Sequence, residues 1–268
     1  MPDQRKVLIT GAGSGLGRAL AQRYANAGCA VACVDIVLER ARETKAMLKG
    51  DGHVAIAMNV ASDEEFDMLR DAVNMQFGAL DVLVNNAGIA SGGAMVETTM
   101  DEWRDVLDIN LLGVVRGCRA FLPGMIERGR GCILNTASYA GLAGAPSVMS
   151  YGVSKAAVVA LSEQLRAEVV GAKISVSVAC PAFFQTNLLQ NWRGNERVKG
   201  YADKMMKSGK DTLDAVADRI FAGAERGDFM IIPTHREPMR WRIKRWFPEY
   251  YFRKLVRAVA AMNKRNKP

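Results

Sequence analysis

The sequence predicts an α/β domain: a doubly wound parallel sheet of about seven strands with helices on both faces. Three observations predict it. Short apolar runs recur along the chain, segments of helical spacing separate them, and most of the runs are continuous rather than alternating. A strand buried on both faces reads as a continuous apolar run. Strand–helix–strand repetition makes neighbouring strands parallel, joined by right-handed crossovers.

In chain order, strands are expected at residues 6–10, 30–35, 53–58, 81–84, 131–135, 174–179 and 229–232, with helical patterns at 16–27, 38–48 and 62–77 among the segments between them. No linker, repeat or low-complexity stretch interrupts the series, so residues 1–234 read as one domain. Two regions break the alternation. Residues 183–209 are long, polar and dotted with bulky apolar groups. A loop of that length in a compact domain is usually functional, so a substrate loop is expected at about 183–210. Residues 235–268 form a separate C-terminal extension.

Composition excludes several classes. Of the 268 residues, 49% are apolar, enough for a core that needs no disulfide or metal. The five cysteines (Cys29, Cys33, Cys118, Cys132, Cys180) are odd in number and lack CxxC spacing, and there are two histidines, His53 and His235. That set argues against a Cys/His metal site, and no metal ligand is assigned. Reduced, mostly buried thiols suit a cytoplasmic protein, with Cys180 kept as a candidate pocket-lining residue. No secretory apolar region follows Met1, and no apolar run approaches the ~20 residues that span a bilayer.

The charge is uneven. Residues 235–268 hold eleven Lys/Arg and two Glu, a net of +9, so the other 234 residues carry −1 of the chain's +8. The basic character belongs to the tail, and a nucleic-acid role would rest on that tail alone. There Trp241 and Trp246 interleave with Arg240, Arg242, Lys244 and Arg245, and Phe252, Leu255, Val256, Val259 and Met262 follow helical spacing. Two readings stand side by side. A basic amphipathic helix with aromatics suits a membrane surface or an acidic partner. Equally, the apolar stripe can cover the protein itself, with the charges solvated.

Thr10-Gly11-Ala12-Gly13-Ser14-Gly15-Leu16-Gly17 follows the first strand and opens a helix. Glycines there let the backbone approach a pyrophosphate, and the helix start offers free N–H groups. Asp35 ends the second strand, where a carboxylate can accept both ribose hydroxyls and would repel a 2′-phosphate. Ser14 puts no cation in the loop. Both points favour NAD over NADP.

Tyr151-Gly152-Val153-Ser154-Lys155 places a phenol and an ammonium at i and i+4 on one helix face. A nearby ammonium favours phenolate, and a general acid/base works best with its pKa near the working pH. An isolated pair of this kind is more often a surface feature. Here Ser138 lies thirteen residues upstream, Asn85-Asn86-Ala87-Gly88 follows the fourth strand, Asn110 lies in the next helix, and Pro181 and Thr186 follow the sixth strand.

Together these motifs resemble the short-chain dehydrogenase/reductase family over residues 5–234. The resemblance implies a Rossmann fold, a nicotinamide cofactor and hydride transfer at an alcohol or carbonyl carbon. It implies that Gly11, Gly15 and Gly17 hold the pyrophosphate, with Ser14 and Leu16 in the same loop. Asp35, with Ile36 beside it, would bind the adenosine ribose. Asn59, where many relatives have Asp, and Val60 would flank the adenine. Asn86, Ala87 and Gly88 would line the cofactor floor, and Pro181 and Thr186 would meet the nicotinamide end. Tyr151 would exchange the proton, Ser138 would hold the substrate oxygen, Lys155 would bind the nicotinamide ribose and tune Tyr151, and Asn110 would hold a water that completes a relay. Pro181-Ala182 replaces the usual Pro-Gly, which bears on the local loop shape.

An oxidised NAD pool favours alcohol oxidation. Phe183, Phe184, Leu188, Leu189 and Trp192 either line a site for a hydrophobic substrate or pack the loop onto the body. The alternatives are a ketoacyl-thioester reductase acting on an acyl-carrier or coenzyme A substrate with NADPH, which Asp35 opposes, and a non-catalytic nucleotide sensor, which the intact Ser138/Tyr151/Lys155 set opposes. The resemblance also implies a homo-oligomer, dimer or tetramer.

Overall fold

The chain runs β1 (Lys6–Thr10), α1 (Gly15–Asn26), β2 (Ala30–Asp35), α2 (Leu38–Ala46), β3 (Val54–Ala57), α3 (Asp63–Phe77), β4 (Val82–Asn85), β5 (Ser91–Gly92) and α4 (Met100–Leu107). A π-turn (Asp108–Leu112) leads into α5 (Gly113–Arg128), then β6 (Gly131–Thr136), α6 (Tyr139–Ala143), α7 (Met149–Glu168) and β7 (Ile174–Ala179). The chain closes with β8 (Arg193–Gly194), α8 (Glu196–Lys207), α9 (Leu213–Glu225), β9 (Met230–Ile231), α10 (Glu237–Trp246) and α11 (Pro248–Arg265). These elements come from a computed structural model that describes residues 4–265. Seven strands form one sheet in the order β3-β2-β1-β4-β6-β7-β9, and every pairing is parallel.

The continuous apolar runs follow from the two-sided burial of this sheet. Successive strand residues face opposite ways. In β1, Val7 and Ile9 join the core layer beneath α1 and α9, with Leu20, Tyr24 and Ile220. Leu8 joins the other layer, with Phe66 and Leu69 of α3, Phe121 and Met125 of α5, and Val158 of α7. β2 and β4 split in the same way, Val31 and Cys33 against Ala32 and Val34, and Val82 and Val84 against Leu83. Each fully buried Leu, Ile or Val contributes about 1.5–3 kcal/mol of transfer free energy. No face of the inner strands can therefore turn polar cheaply.

Several expectations need correction. The strands expected at 53–58 and 229–232 run over Val54–Ala57 and Met230–Ile231, and at the first of them His53 stays out of the ladder. Its Nδ1 accepts from the Val31 N–H (3.1 Å) and its Nε2 meets the Lys49 carbonyl (3.0 Å). Residues 183–209 are not one loop: they hold a 3₁₀ turn (Asn187–Asn191), β8 and α8. β8 pairs with β5 in a two-residue parallel ladder. In that ladder Gly92 faces Gly194, and a Cβ at Gly92 would come within 2.6 Å of the Trp192 ring. The helical stretch Met100–Arg128 is 29 residues long and reaches a mean hydropathy of 1.2 over 18 residues. By length and composition alone it is long enough to cross a bilayer, a length that the residue-by-residue reading did not register. Val106, Val114, Cys118, Phe121 and Met125 bury its inner face in the domain. All five cysteines are buried free thiols, and Cys180 is fully inaccessible, so it lines no open pocket.

One polar chain crosses the apolar layer. Asn85 Nδ2 donates to Asn135 Oδ1 (2.9 Å), Asn135 Nδ2 donates to Ser162 Oγ (3.0 Å), and Ser162 donates to the Val158 carbonyl (2.7 Å). Gly117 of α5 lies directly over it: a Cβ there would come within 2.2 Å of Asn85 Oδ1. Gly117→Ala should therefore destabilise the protein by roughly 2–3 kcal/mol, through overpacking and a strained buried amide. Urea denaturation measures this, and a change under about 0.5 kcal/mol, the usual size at an indifferent surface position, would show that the amide chain tolerates displacement.

Candidate active site

The glycine loop is built by close approach. Gly11 and Gly15 have φ of +65° and +49°. A Cβ at Gly17 would sit 2.1 Å from the Gly11 carbonyl oxygen, and one at Gly11 would lie 2.9 Å from the Ala87 Cα. Turn and helix start are thus pressed onto the segment after β4, which brings Gly11 and Gly17 together with Asn86 and Ala87. Ser14 occupies the N-cap of α1 but its side chain makes no capping bond, and no acid sits in the first turn. Ser62, Thr99, Asn195 and Thr212 all cap their helices. The start of α1 keeps its N–H groups and its partial positive charge for a phosphate. That bare helix start and the side-chain-free cradle fit a dinucleotide pyrophosphate.

At the end of β2, Asp35 Oδ2 accepts from the Gly13 N–H (2.9 Å) and Oδ1 from the Val37 N–H (3.1 Å). A carboxylate oxygen has two lone-pair sites, so each oxygen keeps one for a ribose hydroxyl. The residue is not a helix cap; Val37 holds that position in α2. Ile36 beside it is 64% exposed, an apolar surface next to the ribose position. The sequence reading found no cation at this end, but the fold brings one. A Cβ at Gly13 would come within 2.6 Å of both Asp35 Oδ2 and the Arg40 Cβ, so Arg40 neighbours the same corner. Only the turn between β2 and α2 makes it a neighbour, and spacing alone does not signal that.

Asn59 is committed locally: its N–H donates to Glu65 Oε2 (2.8 Å) and its Oδ1 accepts from the Ala61 N–H (3.0 Å). Val60 packs against Gly113 at the start of α5. Asn86 is tied to the glycine loop, its Nδ2 donating to the Thr10 carbonyl (3.0 Å). A Cβ at Gly88 would lie 2.9 Å from Asn110 Oδ1 and 3.3 Å from Lys155 Nζ. Gly88, Asn110 and Lys155 thus meet at one point, although 67 residues separate the first from the last.

Asn110 is fully buried in the π-turn. Its Oδ1 accepts from the Ile89 N–H (2.8 Å), and its Nδ2 donates to the Ile89 carbonyl (2.9 Å) and to Ser154 Oγ (3.2 Å). Both amide hydrogens are used in positioning, while Oδ1 keeps one lone-pair site beyond the Ile89 bond. Ser154 donates in turn to the Tyr151 carbonyl (2.7 Å). The sequence reading missed Ser154 as the link between Asn110 and the first turns of α7.

Tyr151 and Lys155 both lie on α7. Lys155 Nζ donates to the Thr136 carbonyl (2.9 Å). Burial lowers its pKa from the ordinary 10.5 to about 8. Burial also raises the Tyr151 phenol above its ordinary value, and a hydrogen bond with Ser138 pulls it back. Ser138 Oγ additionally accepts from the Ala140 N–H (3.1 Å) as the N-cap of α6. Pro181 ties into the same region, its carbonyl accepting from the Tyr139 N–H (2.9 Å). Thr186 caps the 3₁₀ turn (Leu188 N–H to Oγ1, 3.2 Å). It faces Gly15 and Arg18 across an open cleft of about 750 Å³, which Leu189 and Met206 also line. This cleft flanks the glycine loop and does not reach Tyr151 or Ser138.

Within 183–192 the apolar cluster divides. Phe184 is buried in the core layer of α1 and α9, and Trp192 packs on Gly92, whereas Phe183 is 45% exposed and Leu188 and Leu189 are half-buried. Part of the cluster is packing and part is available to a ligand.

The uncapped glycine-loop helix, the Asp35 carboxylate and the Ser–Tyr–Lys group lie together at the carboxyl end of the sheet, an arrangement that fits a dinucleotide. Residues 5–197 match the family model for short chain dehydrogenase, and the chain belongs to that family. It is 34% identical over 232 residues to "Probable oxidoreductase EphD" of Mycobacterium tuberculosis (strain ATCC 25618 / H37Rv), covering 82% of this chain, and it spans only 39% of that relative's length. It is 32% identical over 202 residues to "Meso-2,3-butanediol dehydrogenase" of Serratia marcescens, covering 73% of this chain and 80% of the relative. Among solved structures, a short chain dehydrogenase/reductase from Burkholderia phymatum in complex with NAD superposes with a TM-score of 0.87 at 30% identity, covering 92% of this chain and 95% of the other.

The Lys155 amine has a testable cost. Its pKa is about 8 in the fold against an ordinary 10.5, so between those values the unfolded chain binds more protons and stability rises with pH. The contribution is complete above 10.5 and is lost as pH falls through about 8. The raised Tyr151 phenol acts in the opposite sense above its ordinary value of 10.0, and the five buried thiols do so above theirs of 9.0, so the Lys155 contribution is read as the difference between two proteins that share those groups, over pH 8 to 10. In cofactor-free protein, the stability of the wild type relative to Lys155→Met should therefore rise with pH across that window. Thermal melts of both proteins across that window check it, and parallel curves would mean that Lys155 is not held in a low-dielectric site.

Proposed function

We propose that the protein is an NAD-dependent dehydrogenase that oxidises an alcohol carbon of an apolar substrate, or in reverse reduces the corresponding carbonyl. The observation that carries this reading is the Ser138–Tyr151 hydrogen bond, with Lys155 one turn further along α7, at the end of the sheet that also holds the bare start of α1. When bound, the dinucleotide supplies the hydride acceptor. The backbone around Gly11, Ser14, Gly15, Leu16 and Gly17 would hold its pyrophosphate. Asp35 and Ile36 would take the adenosine ribose, and Asn59 and Val60 the adenine edge. Asn86, Ala87 and Gly88 would form the floor, Pro181 and Thr186 would meet the nicotinamide amide, and Lys155 the second ribose.

Tyr151 takes the hydroxyl proton in oxidation and returns it in reduction. Ser138 donates a hydrogen bond to the same substrate oxygen and fixes it beside the phenol. A protonated Lys155 stabilises the phenolate by charge. The proton then passes along Lys155 toward a water held at Asn110. Phe183 and Leu188 supply the apolar wall for the substrate. Exposed Leu112, Ile126 and Val153 offer apolar contacts for a homo-oligomer.

Tyr151→Phe keeps the ring and removes the proton carrier, so kcat should fall at least ~100-fold, the usual range for a lost general acid/base, while NAD binding followed by calorimetry stays intact. Near-normal turnover would defeat the mechanism. The ribose assignment is checked by kcat/KM with each cofactor. NAD should be preferred, and Asp35→Ala should lower the NAD value roughly 10- to 100-fold, the worth of a charge-assisted hydrogen bond, without lowering the NADP value. A wild-type preference for NADP would instead assign that corner to Arg40.

A further inference from the structure

The C-terminal extension folds into the hairpin α10–α11, and its two faces differ. The inner face is anchored beside the catalytic region. Lys244 Nζ donates to the Leu142 carbonyl of α6, the short helix that opens at Ser138. The Tyr251 hydroxyl is hydrogen-bonded to Tyr139 of the same helix. Tyr251, Leu255 and Val259 of α11, spaced by four, are the half-buried positions. This stripe accounts for Leu255 and Val259 of the expected apolar stripe. Met262 lies outside the residues whose side chains are described.

The outer face has no such account. Trp246, Phe247 and Phe252 are 74%, 64% and 58% exposed, and Val256 continues the stripe one turn after Phe252. Arg242, Arg245, Arg253 and Arg257 are exposed among them, and none takes part in an ion pair among the described residues. A helix stabilised by solvated charge interleaves acids with its bases. Here the two acids are Glu237, paired with Arg240, and Glu249. Exposed aromatics flanked by unneutralised cations match the interface of a membrane, where rings sit at headgroup level and cations meet anionic lipid.

We propose that this outer face seats the protein on an anionic membrane surface, with the hairpin holding the α6 side of the catalytic region against the lipid. The inference is independent of which alcohol is oxidised and of whether NAD is the cofactor.

The test is co-sedimentation of the full chain with vesicles of phosphatidylcholine alone and of phosphatidylcholine with phosphatidylglycerol, at low and high salt. Binding is expected to the anionic vesicles at low salt, with release as salt screens the attraction. Replacing Arg242, Arg253 and Arg257 together by Gln should lower the partition coefficient roughly a hundredfold, about fivefold per cation removed near an anionic surface. Trp246→Phe should remove the blue shift in tryptophan emission that accompanies binding. These residues are exposed, so melting temperature and dehydrogenase activity should stay at wild-type values, separating loss of docking from loss of folding. No binding to anionic vesicles at low salt, equal binding to both vesicle types, or full binding by the triple variant overturns the proposal. So does a self-association broken by Phe252→Asp when vesicles are ignored, which would assign the face to a second copy of the chain.

Discussion

A run of hydrogen bonds across the carboxyl ends of three strands is the constraint on which the rest depends. Thr10 Oγ1, at the end of β1, accepts from the Asn86 N–H (3.0 Å) and the Ala87 N–H (3.1 Å). Asn86 Nδ2 donates back to the Thr10 carbonyl (3.0 Å), and Thr136 Oγ1, at the end of β6, donates to Asn86 Oδ1 (3.5 Å). The Thr136 carbonyl then receives Lys155 Nζ (2.9 Å). Parallel strands all leave a sheet at the same end, so the loops that follow β1, β4 and β6 are brought together by topology alone. The side chains of Thr10 and Asn86 turn that proximity into fixed geometry, from the phosphate cradle to the catalytic lysine.

The layers on either side explain why this end can be polar at all. Every inner strand is sealed by helices on both faces, so polar groups at the strand ends meet protein partners rather than bulk water. Lys155 shows the consequence. An ammonium in that setting loses more hydration than one carbonyl returns, and its pKa falls to about 8. The same burial raises the phenol. Both changes favour the neutral forms, and the negative charge of a bound dinucleotide acts against the first of them by favouring the ammonium. The site is therefore electrostatically incomplete by itself, and a ligand that brings charge alters the proton balance of Tyr151 as well as filling space.

What the sequence revealed follows the range of the signal. The seven strands were legible because two-sided burial writes itself as local apolar runs, and the Tyr151/Lys155 pair because helical geometry fixes i and i+4. The glycine loop was legible for the same reason: strand, turn and helix start are contiguous. Contacts made by the fold between distant segments were not. Arg40 reaches the Asp35 corner only through the path of the β2–α2 turn, and Gly117 shields Asn85 only because α5 crosses β4. Ser154 stands inside the YxxxK pattern, yet its bond to Asn110 depends on a π-turn 44 residues away. The ladder between β5 and β8 is two residues long, too short for any periodic pattern.

The extension shows how a correct periodicity can still leave the surface question open. Leu255 and Val259 turn inward with Tyr251, as a helix packed on its own protein requires, and a repeat of four places Phe252 and Val256 one residue further round. At 100° per residue, positions 252, 255, 256 and 259 span about 100°, and the half-buried and exposed positions show that the edge at 252 and 256 faces away. A covering helix of ordinary design would carry polar residues at that edge. This chain carries Phe252 and Val256 with Arg253 and Arg257 beside them. The packing of α11 accounts for the inner edge by hydrophobic burial, but burial within this chain gives the outer edge no stabilisation. Its apolar and cationic groups are left to a surface beyond the described residues, and an anionic surface is the one that complements their charge, as proposed above.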